Sequence, residues 1–467
     1  MSESKALRSG IGYTIGNILI KGINFLTLPI FSRLLSPEEF GVYNIFISYD
    51  AILFVIMGMA LHASIQSANL EFRGKINQYT SSVSLVYIGN ALLFLAIAAL
   101  FYRQLSGLLD LPPVAVFLLV LGSFSSAVIT LYNTRVSLDY AYRKYLLVSA
   151  CNSISNVGVS LLLILTVFRE DRALGRMIGA VVPLFFIAVV LLLTFFRKAR
   201  PRPNREYWRF GIRYSLPIIP HGISQTLLAQ FGRIMIGRME GDGPAGIYSL
   251  AGNIKLVLTI ITDSIATAWT TWFYTRMDQG DRQAIQKRSV LLMGLFFVLT
   301  VGLMALSPEL IYILGGREYE LAKFIAIPMV LDAFILFLYN IIVPSEYYSK
   351  KTAFIMVGTM VAAVINIALN YVFIKSHGFL AVGYTTLFAY MCYLALHIII
   401  SRKLVKFFVL QLRWIFLACV ALGALAAWNL WWIDNLLLRW GMCAVVVIPV
   451  SLLLLRTVRW EKQAQTD

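Results

Sequence analysis

The fourteen-residue stretch LYNTRVSLDYAYRK at 131–144 returns at 338–351 as LYNIIVPSEYYSKK, each copy following a long apolar run. Leu131, Tyr132, Asn133, Val136, Tyr140 and Lys144 match Leu338, Tyr339, Asn340, Val343, Tyr347 and Lys351 at an offset of 207, and Asp139 meets Glu346 as Arg143 meets Lys350. A second pair, RLLSPEEFGVY ending at Tyr43 and RMEGDGPAGIY ending at Tyr248, aligns Arg33 with Arg238 and Gly41 with Gly246 at an offset of 205. Two nearly equal offsets in well-separated segments mark a duplication, so the chain must fold as two copies of one unit about 205 residues long.

Composition sets the solvent for that unit. A chain that is 59% hydrophobic and 13% charged, with mean hydropathy +0.77, cannot keep a soluble surface, and its apolar runs of about 20 residues read as membrane spans. Fourteen such runs are predicted, near 11–31, 41–61, 80–101, 114–134, 145–168, 175–196, 213–237, 246–267, 289–310, 322–344, 353–374, 378–400, 413–433 and 436–455. Their period is helical rather than alternating, which predicts an all-α polytopic membrane protein and not a barrel. The repeat then gives two six-helix lobes plus a C-terminal helix pair: an N-lobe at 1–196, a basic linker at 197–212, a C-lobe at 213–400, and the last two spans with a tail at 401–467. An even number of spans per lobe gives both copies one orientation, related by an axis along the membrane normal.

The net charge of +17 could point to nucleic acid, but it is spread over many loops, and no nucleic-acid partner is expected. With the N-terminus inside, the spans place 27 Lys and Arg in the cytoplasm and 10 outside, counting residues at span ends with the nearer side. Only Lys21, Arg233 and Lys255 remain in the membrane. The positive-inside rule therefore predicts a multi-pass protein with both termini cytoplasmic. No cleavable leader is expected ahead of the first span, and Cys151, Cys392, Cys419 and Cys443 all fall within spans, where no disulfides are expected. The most polar stretch, FRKARPRPNREYWRF at 196–210, reads either as a contact for anionic headgroups or as a solvated linker.

No loop exceeds about twenty residues, there is no GxxxxGK[ST], and His62, His221, His377 and His397 lack ligand spacing, so an ATPase or metalloenzyme is not expected, nor is a cofactor. The informative residues are the charges inside spans, each of which costs roughly 2.5–3.5 kcal/mol on insertion scales unless it has a partner, a cavity or a function. Asn17, Lys21 and Asn24, extended by Thr14, share one face of the first span; His221 and Gln225 lie a turn apart in the seventh, ahead of Arg233. Tyr248, Lys255, Thr259 and Thr262 form a stripe in the eighth with Asp263 at its margin, and the second span contributes Asp50. The repeat offset carries Asp50 onto Lys255, so acid and base are candidates for a gating pair; alternatively each is satisfied by hydroxyls and amides of its own lobe. Lys21, Arg233 and Lys255, with Asn17, Asn24 and Gln225, are the candidates for an anionic headgroup, and Asp50, Lys255 and Asp263 for gating or ion coupling. Asp332 is expected to be structural, Pro217 and Pro220 to bend the start of the seventh helix, and Trp269, Trp272, Trp428, Trp431 and Trp432 to anchor span ends at the interface.

The phrases SRLLSPEEFGVYNIF (32–46), ALSPELIYILGGREYELAKFI (305–325) and NIALNYVFIKSHGFLAVGYTT (366–386), set on this span pattern, resemble the O-antigen-unit (Wzx-type) polysaccharide flippases of the multidrug/oligosaccharidyl-lipid/polysaccharide superfamily, over nearly the whole chain. That resemblance implies a bacterial inner-membrane protein without catalytic residues. It would carry undecaprenyl-pyrophosphate-linked oligosaccharide units from the cytoplasmic to the periplasmic leaflet by alternating access. Membrane lipids and other polysaccharide assembly proteins are the implied partners. It also implies a central polar cavity lined by the first two helices of each lobe, and a groove for the lipid tail on 413–455. Many relatives carry an acid just before the arginine of the seventh span; here Gly232 stands there. The other readings are a cation-coupled drug exporter of the same fold, which predicts twelve spans and an apolar aromatic cavity, and a membrane glycan polymerase or ligase, which predicts a large periplasmic loop with clustered Arg and His.

Overall fold

A computed structural model describes residues 25–463 together with residues 12, 16, 22 and 23. The described residues form helices joined by short turns, in two compact units, Met1–Gly246 and Ile247–Asp467.

The first unit contains α1 (Pro37–Gly58), α2 (Ile76–Leu109), α3 (Pro113–Leu138), α4 (Tyr142–Thr166), α5 (Arg172–Lys198), the short α6 (Arg205–Ser215) and α7 (Ile219–Glu240). Its centre is α3, against which α1, α2 and α5 pack; α4 lies along α5, and α7 along α1. The second unit begins within α8 (Asp242–Asp278) and continues through α9 (Arg282–Gly315), α10 (Ala322–Ile342), α11 (Thr352–His377), α12 (Ala381–Val405), α13 (Leu412–Trp431) and α14 (Leu436–Gln463). Here α10 is central, between α9 and α12, and α14 rides on α9. The two central helices carry the start of the two copies of the repeated phrase and are the most buried spans of their units, 67% for α3 and 83% for α10. A duplicated sequence has thus produced a duplicated core.

Local chemistry explains where helices start. Ser36 accepts from the Glu39 amide at 3.2 Å while the Glu39 carboxylate accepts from the Ser36 amide at 2.9 Å, with Pro37 opening α1. Asp171, Asn204 and Asp281 cap α5, α6 and α9 in the same way. Inside spans, hydroxyls turn back onto the carbonyl four residues earlier, as at Thr80, Ser125, Thr262 and Thr300, which hides them from lipid.

Among the described residues, twelve helices are long and apolar enough to cross a membrane, and the chain is a multi-pass membrane protein. The remaining two of the fourteen predicted spans have identifiable counterparts. One, 11–31, lies largely outside the described residues, although Phe25–Leu34 is helical and apolar. The other is α7, which is 22 residues long but carries Gln225, Gln230, Arg233 and Arg238. Its start also moves from 213 to 219, because the chain breaks at 216–218 around Pro217 and Pro220 enters the first turn of α7. Residues 205–215, expected to be linker and span, form an amphipathic helix instead. Tyr207, Gly211 and Ser215 recur every four residues on its buried face, opposite exposed Arg205, Arg209 and Arg213.

Symmetry is most explicit at one close approach. α1 begins at Pro37 and α8 at Asp242, 205 residues apart, and their first turns interlock. A Cβ on Gly41 would sit 1.8 Å from the Asp242 carbonyl oxygen, and one on Gly246 would sit 2.0 Å from the Pro37 carbonyl oxygen. The four residues are related pairwise by the repeat offset, so glycine is required twice for one reason: backbone crosses backbone.

Candidate functional site

In the first unit, α7 faces α1 along a polar seam. Arg233 Nη1 donates to Gln230 Oε1 at 2.7 Å, and Ser48 Oγ on α1 donates to the same oxygen at 3.3 Å and to the Asn44 carbonyl at 2.9 Å. Gly237 makes this approach possible, since a Cβ there would lie 2.3 Å from Ile45 Cδ1. Arg233 is therefore oriented by Gln230, while Gln225, expected beside it, is exposed on the preceding part of the helix. Asp50 turns the other way, toward α3. Its Oδ1 accepts from Ser123 Oγ at 2.8 Å, and the missing side chain of Gly122, whose Cβ would stand 2.9 Å from that oxygen, leaves room for the carboxylate. Among the described residues, a hydroxyl and a glycine accommodate this carboxylate inside a spanning helix.

In the second unit, Lys255 Nζ on α8 donates to both carboxylate oxygens of Asp332 on α10, each at 3.1 Å. Asp332 is 1% exposed, so the pair sits at the edge of the most buried helix. A hydroxyl thus serves Asp50, whereas Lys255 is held by a carboxylate and not by the hydroxyls and amides expected of its own lobe. Asp263 lies exposed two turns further along α8. Lys21, Asn17 and Asn24 lie outside the described residues. Trp269, expected at an interface, is 3% exposed and donates its Nε1 to the Ile341 carbonyl at 2.9 Å, whereas Trp431 is 80% exposed.

Several buried charges escaped the sequence reading because they stand at span ends. Arg176, Lys323 and Arg439 were counted as outer-surface cations, yet they are 9%, 7% and 3% exposed. Arg176 donates to Asn156 Oδ1 at 2.7 Å and Ser160 Oγ at 2.6 Å and faces the rings of Phe31 and Tyr43, with its carbon 4.0 and 4.6 Å from their centroids. Lys323 bridges Glu320 and Asp434 at 2.8 and 2.7 Å. Arg439 on α14 makes a two-pronged contact with Glu309 on α9, at 2.5 and 3.1 Å, and also donates to the Ala305 carbonyl. The signal in the sequence is a position within three residues of a span end, which is the same for a cation that reaches water and for one that turns inward.

The repeated phrase also diverges in three dimensions. Asp139 pairs with Arg135, four residues earlier, at 2.9 Å near the surface, whereas its mate Glu346 is fully buried and meets His397 Nδ1 at 2.6 Å. Among the described residues no three His, Cys, Asp or Glu side chains gather as metal ligands.

Comparison with known proteins extends this picture. Residues 6–274 match the family described as "Polysaccharide biosynthesis protein", and residues 217–372 match the MatE family. The chain is 20% identical over 419 residues to a Haloferax volcanii protein named "Probable low-salt glycan biosynthesis flippase Agl15", covering 87% of this chain and 86% of that one. Among solved structures, the lipid II flippase MurJ in an inward closed conformation superposes with a TM-score of 0.75 at 14% identity, over 96% of this chain and 99% of MurJ. An inward-facing multidrug resistance MATE family transporter superposes at 0.64 and 13% identity, over 85% and 98%.

Proposed function

Because the chain belongs to the polysaccharide biosynthesis protein family, we propose that it is a flippase that moves undecaprenyl-pyrophosphate-linked oligosaccharide units from the cytoplasmic to the periplasmic leaflet of a bacterial inner membrane by alternating access. Its lobes are 1–196 and 213–400, joined by the linker 197–212 and followed by the helix pair and tail of 401–467, with both termini cytoplasmic. Such work makes and breaks no bond in the substrate, so no catalytic residue and no cofactor is assigned.

The observation that carries the reading is the register of charge on repeat-related helices. α1 and α8 start 205 residues apart and set Asp50 and Lys255 at the same place inside a spanning helix. A lipid-facing helix would lose roughly 2.5–3.5 kcal/mol for either residue, which a polar head passing between leaflets would justify. Lys21, Arg233 and Lys255 hold the phosphate oxygens, with Asn17, Asn24 and Gln225 offering amides to the sugar. Asp50, Lys255 and Asp263 carry the conformational or ionic coupling, and exchange of Lys255 between Asp332 and substrate phosphate would tie binding to helix movement.

A leaflet-resolved assay of labelled lipid-linked oligosaccharide in vesicles containing the purified protein tests this. Transport is expected, with loss on Lys21→Ala or Arg233→Ala at normal insertion and folding. Unaltered transport in both variants removes them from the headgroup site, and no transport by the wild type removes the flippase reading. A cation-coupled drug exporter is the second reading, favoured by the MatE match over 217–372. It predicts ion-dependent dye efflux in the same vesicles.

A further inference from the structure

Between α2 and the start of α6 lies a cavity of about 550 Å³, on the Lys- and Arg-rich side that the proposed topology places in the cytoplasm. Lys198, Arg200 and Arg202 line it, with the amides of Asn77, Gln78 and Asn204. Among the described residues none of the three cations meets a carboxylate within 4 Å, and no carboxylate lines the cavity.

The hydrogen bonds around the cavity all run one way. Asn77 Oδ1 accepts from Arg135 Nη2 at 3.0 Å, Gln78 Oε1 accepts from Tyr207 Oη at 3.4 Å, and Asn204 Oδ1 accepts from the amides of Glu206 and Tyr207 at 2.9 and 3.1 Å. Each amide oxygen thus accepts from the protein, which leaves the NH2 group as the donor that side chain can offer the cavity. The carbonyls at the end of α5 are occupied too, since Ser81 Oγ donates to those of Phe195 and Ala199 at 2.9 and 2.8 Å. What remains is a lining of three cations and three amide donors.

The wall is also fixed in place. Ser215 Oγ on α6 donates to the Ala60 carbonyl at 3.0 Å, Trp208 Nε1 donates to the Ser82 carbonyl at 2.8 Å, and Gly211 allows Tyr79 to approach closely. Lys198 ends α5, and Arg200 and Arg202 lie exposed on the segment 199–204 that joins it to α6, so the basic segment is anchored at both ends by packed helices, which a free polybasic tail is not.

We propose that this cavity is a binding site for a phosphate-bearing headgroup at the cytoplasmic surface, separate from the charges within the spans. The shared chemistry is a phosphate oxyanion held by guanidinium and ammonium groups. Its source is either the diphosphate of a lipid-linked substrate waiting to enter or an anionic phospholipid of the same leaflet. The sidedness of the site rests on the topology proposed above.

The test uses the full-length protein in phosphatidylcholine nanodiscs, into which inorganic pyrophosphate is titrated by calorimetry. A second arm uses nanodiscs with phosphatidylglycerol as the minority lipid, and native mass spectrometry reads the lipid retained. Wild type is expected to bind in at least one arm. Lys198→Gln/Arg200→Gln/Arg202→Gln weakens that binding at least about tenfold. Arg205→Gln/Arg209→Gln/Arg213→Gln removes the same charge from the exposed face of α6 and changes binding less than about twofold. Binding to pyrophosphate alone identifies a diphosphate headgroup, retention of phosphatidylglycerol alone identifies a leaflet phospholipid, and both together mean that the cavity accepts phosphate from either source. If the first triple variant loses helical circular dichroism or monodisperse elution, Gln78→Glu replaces it. This exchange adds a carboxylate to the donor set at an exposed position, and the same tenfold loss is expected. Equal binding by the cavity and α6 variants in both arms, or no binding by wild type in either, overturns the proposal. Neither readout needs transport, so failure here leaves the flippase reading standing, and a protein that binds these probes but moves no lipid-linked sugar refutes only that reading.

Discussion

Replacing Lys255 with Met tests the internal pair most directly. Asp332 is 1% exposed, and both of its oxygens accept from Lys255 Nζ at 3.1 Å, so Lys255→Met leaves a buried carboxylate without its ammonium partner. The site then escapes by protonation. Holding an ordinary carboxyl, reference pKa 3.9, neutral at pH 7 costs about 4 kcal/mol at 1.36 kcal/mol per pH unit, which agrees with roughly 3–5 kcal/mol for breaking a buried pair. The reverse change, Asp332→Leu, costs less, about 1–2 kcal/mol, because the Lys255 side chain is 26% exposed and its flexible stem lets the ammonium shift away from the emptied site. Lys255→Met/Asp332→Leu removes both desolvation penalties and should return to within about 1 kcal/mol of wild type. SDS-titrated unfolding of the four proteins at pH 7 closes the cycle, with an expected coupling of about 3 kcal/mol or more. A cost below about 1 kcal/mol for Lys255→Met, or a double variant no more stable than that single one, would refute the assignment of this contact as a buried ion pair. If the lysine also serves the substrate, the double variant folds normally and transports nothing.

Gly41→Val and Gly246→Val should each destabilise by about 1–3 kcal/mol or more, because a new Cβ 1.8–2.0 Å from a carbonyl oxygen forces two backbones apart; unfolding midpoints equal to wild type would contradict the interlocked turns. Arg439→Met should loosen α14 from α9 and cost about 3 kcal/mol by stranding Glu309, with Arg439→Lys recovering only part of it because a single ammonium cannot reproduce the two-pronged contact; thermal melts of both variants check this. Burial holds His62 below its ordinary value of 6.5, so between that lowered value and 6.5 the unfolded chain binds more protons and stability rises with pH. Melting temperatures measured from pH 5 to 8 should therefore fall below pH 6.5 in wild type by more than in His62→Gln, and parallel curves would show that His62 contributes nothing.

Much of the architecture was legible before any coordinates. Capping at Ser36 with Glu39 three residues on, Pro37 in the first turn, and runs of apolar residues between basic loops specify helix starts and spans by local rules. The structure keeps nearly every predicted span. It departs at 213–219, where Pro217 ends one helix and an amphipathic turn sequence forms another, a distinction that hydropathy averaged over a window cannot see. The candidate site was legible in part. Arg233, Lys255 and Asp50 stood out because charge in the middle of an apolar run is costly whatever surrounds it. Arg176, Lys323 and Arg439 did not, because a cation two or three residues from a span end looks the same in sequence whether it reaches water or turns inward to an acid, an amide or a ring.

The sequence by itself determined the duplicated all-helical membrane plan, the placing of Gly41 against Gly246 as counterparts, and the list of charges needing an explanation, because periodicity, capping and the cost of charge in hydrocarbon act locally along the chain. Only the tertiary structure decided who satisfies whom: Lys255 with Asp332, Asp50 with Ser123, Glu346 with His397, and Asn77, Gln78 and Asn204 gathered beside one cavity. Partners 51 to 130 residues away are brought within 3.1 Å by packing between helices, and the electrostatic energy of a pair depends on that distance and on burial, neither of which a one-dimensional pattern contains.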